Sequence, residues 1–147
     1  MSDFTTEIIE AFRANGGYVE ANGFGSRLVL LHSTGAKSSE PRLSPVMAIT
    51  QNDGSWLIAA SKAGAPDNPA WYANLRAHPD ATLEVPTATD APVPGGPVET
   101  VPVRAAELTG ADHAEAWAQF TAMSPGFADY QKRAGARTIP VLRLTRR

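Results

Sequence analysis

The sequence predicts a mainly antiparallel β domain of the α+β class, a sheet or barrel flanked by short helices. Apolar segments of strand length outnumber long helical patterns, and most are joined by short turns. No Gly-x-Gly-x-x-Gly fingerprint follows any of them, which argues against a doubly wound nucleotide fold. At 147 residues without an internal repeat, the chain is expected to form one domain, 1–147.

Phe4, Ile8, Ile9 and Phe12 recur at helical spacing, with Asp3 or Thr5 as cap and Gly16-Gly17 as stop. Arg27 to His32 is an apolar run between Gly25 and Gly35, a buried strand. After the polar turn Gly35–Pro41 the chain extends again from Arg42 to Thr50. Asn52-Asp53-Gly54 predicts a type I′ hairpin returning through Trp56–Ala59. Ser61 to Pro69 is a loop, with Asn68 as cap and Pro69 at the first position of a helix through Trp71, Tyr72 and Leu75.

Ala81 to Val85 reads as a strand. Residues 86–97 hold four prolines and one large apolar residue, Val93, and are expected to form a mobile inserted loop. Thr100 to Ala105 alternates as a strand, placed near an edge by Pro102. Thr109–Asp112 opens a helix through Trp117 and Phe120, a second follows Pro125, and Ile139 to Leu144 is the last strand.

The composition is globular, 43% hydrophobic and 19% charged, with a net charge of −2. No basic field for nucleic acid exists, although a local basic pocket for a small anion is compatible with it. The absence of cysteine excludes disulfides, thiolate metal sites, iron–sulfur clusters and thiol nucleophiles, and it fits a reducing cytoplasm. Neither a signal peptide nor an apolar stretch of membrane-spanning length is expected.

Several motifs fail on inspection. Gly35-Ala36-Lys37-Ser38 has Ala36 and Leu31 where a phosphate-binding P-loop needs glycine. His32, His78 and His113 have no ligand spacing, so no metal is expected, and His78 suits a helix C-terminus. No Gly-x-Ser-x-Gly elbow supports hydrolase chemistry.

One constellation survives. Lys37, Ser38, Ser39 and Arg42 gather two cations and two hydroxyls around one turn, a donor set suited to phosphate or carboxylates. A solvated basic turn has the same composition. The second segment runs Ala60-Ser61-Lys62-Ala63-Gly64-Ala65-Pro66, then Asn68-Pro69-Ala70-Trp71-Tyr72-Ala73-Asn74-Leu75. Together the two resemble the deazaflavin (coenzyme F420)-dependent nitroreductase family. That family reads roughly Thr-Thr-Gly-Arg-Lys-Ser-Gly-x-Pro-Arg, Ala-Ser-x-Gly-Gly and Pro-x-Trp-x-x-Asn-Leu. The chain matches at Thr34, Gly35, Lys37, Ser38, Pro41 and Arg42, then at Ala60, Ser61, Gly64, Pro69, Trp71, Asn74 and Leu75. Gly126–Gln131 and Ile139-Pro140-Val141 resemble its C-terminal segment, so the similarity runs from about Val29 to Leu144.

The resemblance implies a split β-barrel oxidoreductase that passes hydride from reduced F420 to a small enone, quinone or nitro acceptor. It implies that Lys37, Ser38 and Arg42 meet the cofactor's phosphate and polyglutamate tail. Ser61, Lys62, Gly64 and Ala65 would follow the phosphate and ring edge, with Trp71 and Asn74 closing the other side. Pro45 and Met47 would line the ring, although core packing suits both them and Trp71. Tyr130 would be the catalytic proton donor or an acceptor contact, and Met123 and Phe127 would stand at the substrate pocket. A phenol on a helix surface is the plain alternative for Tyr130.

The chain departs from the pattern at Ala36, Ser39 and the residues flanking Gly64, and this leaves the acceptor open. The resemblance further implies a possible homodimer, with an F420-reducing dehydrogenase linked only through the shared cofactor. The competing readings are an FMN-binding split-barrel enzyme, a non-catalytic deazaflavin carrier and a ligand-free β domain.

Overall fold

In the computed structural model, which describes residues 3–147, six antiparallel strands close into a barrel. The strands are β1 (Leu28–Thr34), β2 (Pro41–Thr50), β3 (Trp56–Ala59), β4 (Asp80–Pro86), β5 (Val98–Glu107) and β6 (Val141–Arg146). Their order around the barrel is β1-β2-β3-β6-β5-β4, with β4 pairing back to β1 through Leu31 and Leu83. Four helices surround it: α1 (Asp3–Ala14), α2 (Ala70–Ala77), α3 (Gly110–Met123) and α4 (Gly126–Ala134). The barrel and short helices are those expected from the sequence.

Alternation decides which apolar residues fill the barrel and which hold the helices. Val29, Leu31, Trp56, Ile58, Leu83, Val101, Val103, Leu142 and Leu144 share one buried cluster with Trp71, Tyr72 and Leu75 of α2. The intervening residues of the same strands serve other elements. Leu28 and Leu30 pack under Ile8 and Phe12 of α1, while Leu57 and Val141 pack under Phe120 of α3 and Phe127 of α4. Runs such as Leu28–Leu31 are therefore unbroken because both strand faces are covered. Met47 on β2 touches both outer clusters and joins α1's layer to that of α3 and α4.

The structure corrects several local expectations. Asp3 and Thr5 both lie inside α1, and the position before Asp3 lies outside the described residues. The 51–55 hairpin is not type I′. Only Gly54 has a positive φ, 86°, and its amide donates to the Gln51 carbonyl at 3.0 Å. That is a type I turn completed by a left-handed glycine, the three-residue hairpin alternative. Pro69, not Asn68, caps α2, and the Asn68 side chain instead accepts a 2.6 Å bond from Arg137.

Pro102 is not on a free edge, because β5 lies between β4 and β6. The pairing with β6 begins at Val103–Arg146, so the missing proline donor falls where β6 runs out. There the Pro102 carbonyl still accepts the Arg147 amide at 3.0 Å. The 86–97 segment is tied down rather than loose. The Thr87 and Ala88 amides donate to Gly16, Val93 to Asn15 and Gly95 to Ala14, docking it on the end of α1.

Candidate functional site

The crossover from β3 to β4 must pass an end of the barrel, and it does so through a 3₁₀ turn at Lys62–Gly64 and then α2. Beside it lies a cleft of about 240 Å³. Pro45, Val46 and Met47 of β2 line it, with Ala59 at the end of β3 and Ser61, Lys62, Pro69 and Trp71 of the crossover. Phe120, Phe127 and Tyr130 of α3 and α4 supply an aromatic wall. Phe127 stands edge-on to Tyr130 at 5.5 Å and lies 5.2 Å from Phe120. The Tyr130 hydroxyl has no hydrogen-bond partner among the described residues.

A second hollow, of about 320 Å³, lies on the same helix α2. Gly35, Ala36, Lys37, Ser38 and Arg42 line it from the β1–β2 turn, and Ala70, Ala73 and Asn74 line it from α2. The Ala36 amide donates to Asn74 Oδ1 at 3.0 Å, joining the turn to the helix. Arg42 Nη2 donates to Ser38 Oγ at 3.2 Å, and the guanidinium lies 3.8 Å from exposed Glu40. Lys37 has no ion-pair partner among the described residues. An acidic protein thus presents two cations, a hydroxyl and a helix-anchored turn at one hollow, a donor set that fits an anionic chain.

Lys62 sits in the left-handed region at φ 46°, an uncommon conformation for a long side chain. Its ammonium lies 3.1 Å from Asp67, whose carboxyl is held below its ordinary value by that hydrogen bond.

The structure brings Pro45, Met47, Ser61, Lys62, Trp71, Phe127 and Tyr130 to the cleft, and Lys37, Ser38, Arg42 and Asn74 to the hollow. Gly64, Ala65 and Met123 line neither. Gly64 is buried against α4, where an added Cβ would lie 2.7 Å from the Tyr130 carbonyl. The Ala65 carbonyl accepts two bonds from Arg137, and Met123 packs against the α3–α4 cluster.

Sequence reasoning missed Arg137, Gln131 and the lining residues Val46, Ala59, Pro69 and Phe120. Arg137 binds three main-chain carbonyls and Asn68 Oδ1, and its own carbonyl accepts a 2.7 Å bond from Gln131 Nε2. Its partners lie 69–77 residues away, and carbonyls leave no signature in a sequence.

The family model described as F420H(2)-dependent quinone reductase matches residues 5–146. The chain belongs to that family. An F420H(2)-dependent quinone reductase of Mycobacterium tuberculosis strain H37Rv is 38% identical over 121 residues, covering 81% of this chain and 73% of the relative. A solved F420-H2 dependent reductase, FDR-A, superposes with a TM-score of 0.62 at 31% identity, over 80% of this chain and 93% of its own. A structure described as a domain-swapped dimer gives 0.64 at 29% identity, over 95% and 92%. This member of the quinone reductase family is thus an F420H2-dependent oxidoreductase on a split-barrel-like fold, and coenzyme F420 is its cofactor. Among the described residues, no helix is long and apolar enough to cross a membrane.

Proposed function

We propose that this single-domain reductase transfers hydride from F420H2 to a quinone-type acceptor in the cleft bounded by Pro45, Trp71, Phe127 and Tyr130. The observation that carries the reading is the aromatic wall of Phe120, Phe127 and Tyr130, which lines one cleft together with the cofactor-motif residues Ser61 and Lys62. A flat, conjugated acceptor matches such a wall in shape and polarity.

Lys37 and Arg42, with Ser38 and the Asn74-anchored turn, would hold the phosphate and tail. Ser61 and Lys62 would meet the inner phosphate and ring edge, while Pro45, Met47 and Trp71 bound the ring. Bound F420H2 supplies a hydride at a ring carbon in a two-electron step. The apolar side chains of the lining would shield the acceptor from water and orient it against the ring. Hydride addition to a quinone leaves negative charge on oxygen, and the Tyr130 hydroxyl would donate to it. Met123, behind the wall, would shape the pocket through its contacts with Phe127's cluster.

The cysteine-free composition supports a place in the cytoplasm. The relative described as a domain-swapped dimer supports pairing between copies. Other enzymes would meet this one through the diffusible cofactor.

Anaerobic oxidation of F420H2, followed by its absorbance, tests the acceptor across matched quinones, enones and nitroarenes. Quinone turnover should exceed the other two classes by at least about tenfold. Equal or faster turnover of enones or nitroarenes would overturn the quinone assignment.

A further inference from the structure

Arg137 lies three residues beyond the end of α4 and is not itself among the residues that line the cleft. Its guanidinium is nevertheless fully engaged. Nε donates to the Ala65 carbonyl at 3.0 Å. Nη1 donates to the Ala60 carbonyl at 2.9 Å and to Asn68 Oδ1 at 2.6 Å. Nη2 donates to the Ser61 and Ala65 carbonyls at 2.9 and 2.8 Å. Those contacts use all five N–H groups that a guanidinium owns, and four of them hold main chain of the 60–65 segment.

That segment presents Ser61 and Lys62 to the cleft, and Asn68 directly precedes Pro69, which lines it with Trp71. The main chain of Arg137 is tied to α4, the helix that carries Phe127 and Tyr130. Gln131 of α4 donates to the Arg137 carbonyl at 2.7 Å and accepts the Ile139 amide at 3.0 Å. Gly64 fits so closely against Tyr130 and Arg133 that a Cβ there would force α4 to shift.

We infer that Arg137 is a positioning residue that locks the cofactor wall, residues 60–69, to the acceptor wall on α4, so that the two keep one spacing across the cleft. A planar, five-donor cation is required, because a lysine ammonium offers three donors from one point and cannot reach the Ala60, Ser61 and Ala65 carbonyls and Asn68 together. A displacement of about 1 Å between reacting groups costs about a hundredfold in rate, so a small slip of this joint is read in turnover. The inference rests on the hydride-transfer reading for its kinetic consequence, whereas the joint itself can be observed without catalysis.

The test uses Arg137→Ala and Arg137→Lys in the full chain, with three readouts. Amide hydrogen exchange, with and without oxidised F420, should show residues 60–66 and 127–131 losing protection together in both variants. In the wild type, F420 should protect both segments; in the variants it should protect the first alone. Turnover should fall by at least about tenfold, and F420 affinity by fluorescence should fall less, because Lys37 and Arg42 stand on a turn that Arg137 does not touch. Guanidinium at millimolar concentration should restore turnover to Arg137→Ala, and methylammonium should not.

Wild-type exchange in both segments of the variants would overturn the joint. Loss of protection over the whole chain without guanidinium rescue would do the same, by reducing Arg137 to a general stability residue. A wild type that binds F420 but reduces no acceptor would sink the functional reading alone, and the exchange pattern would still decide the joint.

Discussion

Lys37 and Arg42 are the side chains on which cofactor capture should depend most directly. Both are largely exposed, so each charged contact is partly screened, and its loss is expected to weaken F420 binding by about 1–2 kcal/mol, or about five- to thirtyfold. Fluorescence titration of Lys37→Ala and Arg42→Ala measures this, and unchanged affinity in both would remove the proposed tail site. Tyr130→Phe keeps the ring in the aromatic wall and removes only the unpartnered hydroxyl. Turnover should drop by at least about tenfold while F420 affinity stays near that of the wild type; equal turnover would leave Tyr130 as a wall residue only. These side chains were legible in the sequence because the motifs carrying them are contiguous. Arg137 was not, because its acceptors are backbone carbonyls across the fold. Gly64 and Ala65 were legible as motif residues but not in position, since a pattern of letters does not say which face of a loop meets the ligand.

At the scale of elements, the left-handed glycines of the β2–β3 turn and of the crossover separate strain from crowding. Gly54 completes the β2–β3 turn at φ 86° with nothing near its missing Cβ. Gly64 closes the 3₁₀ turn at φ 81°, but a Cβ there would approach the Tyr130 carbonyl at 2.7 Å and Arg133 Cβ at 2.8 Å. Gly54→Ala should cost only the conformational term, about 1–2 kcal/mol. Gly64→Ala adds overpacking against α4 and should cost about 2–4 kcal/mol, lowering Tm by about 4–12 °C. Thermal unfolding of both variants checks the ranking, and an equal shift would mean that α4 yields without cost. The elements themselves were readable from alternation and punctuation: α1, β3, α3 and α4 fall where periodicity and turn residues place them. Two of the misses share one cause, that the local signal was right in kind but tertiary hydrogen bonds chose the details. Asn68 was taken from its capping role by Arg137, and the 86–97 segment is pinned by its Thr87, Ala88, Val93 and Gly95 amides, which donate to carbonyls at the end of α1.

Closure of the whole barrel depends on pairing β4 to β1, and a buried carboxylate sits at that seam. Glu84 of β4 accepts Arg13 Nε at 3.0 Å and Nη2 at 2.6 Å from α1, and its Oε2 lies 2.5 Å from His32 Nε2 on β1. One side chain therefore ties helix and both strands together. The Arg13 hydrogen bonds hold the Glu84 carboxyl below its ordinary value against the opposing effect of burial, and the His32 contact adds to them. A carboxyl lowered in the folded state binds fewer protons there than in the unfolded chain. Its stabilisation is thus complete above the unfolded value, near 4.5, and is lost as pH falls through the folded one. Glu84→Gln keeps the shape and removes the charge. At pH 7 it should destabilise the fold by about 1–2 kcal/mol, a discounted figure because half of Arg13 faces solvent. Denaturant unfolding from pH 7 to 3 should then show the two curves converging as the wild type loses what the variant never had. Curves that stay parallel down to pH 3 would show that the seam is held by strand pairing alone, with the Arg13–Glu84 contact contributing nothing to closure.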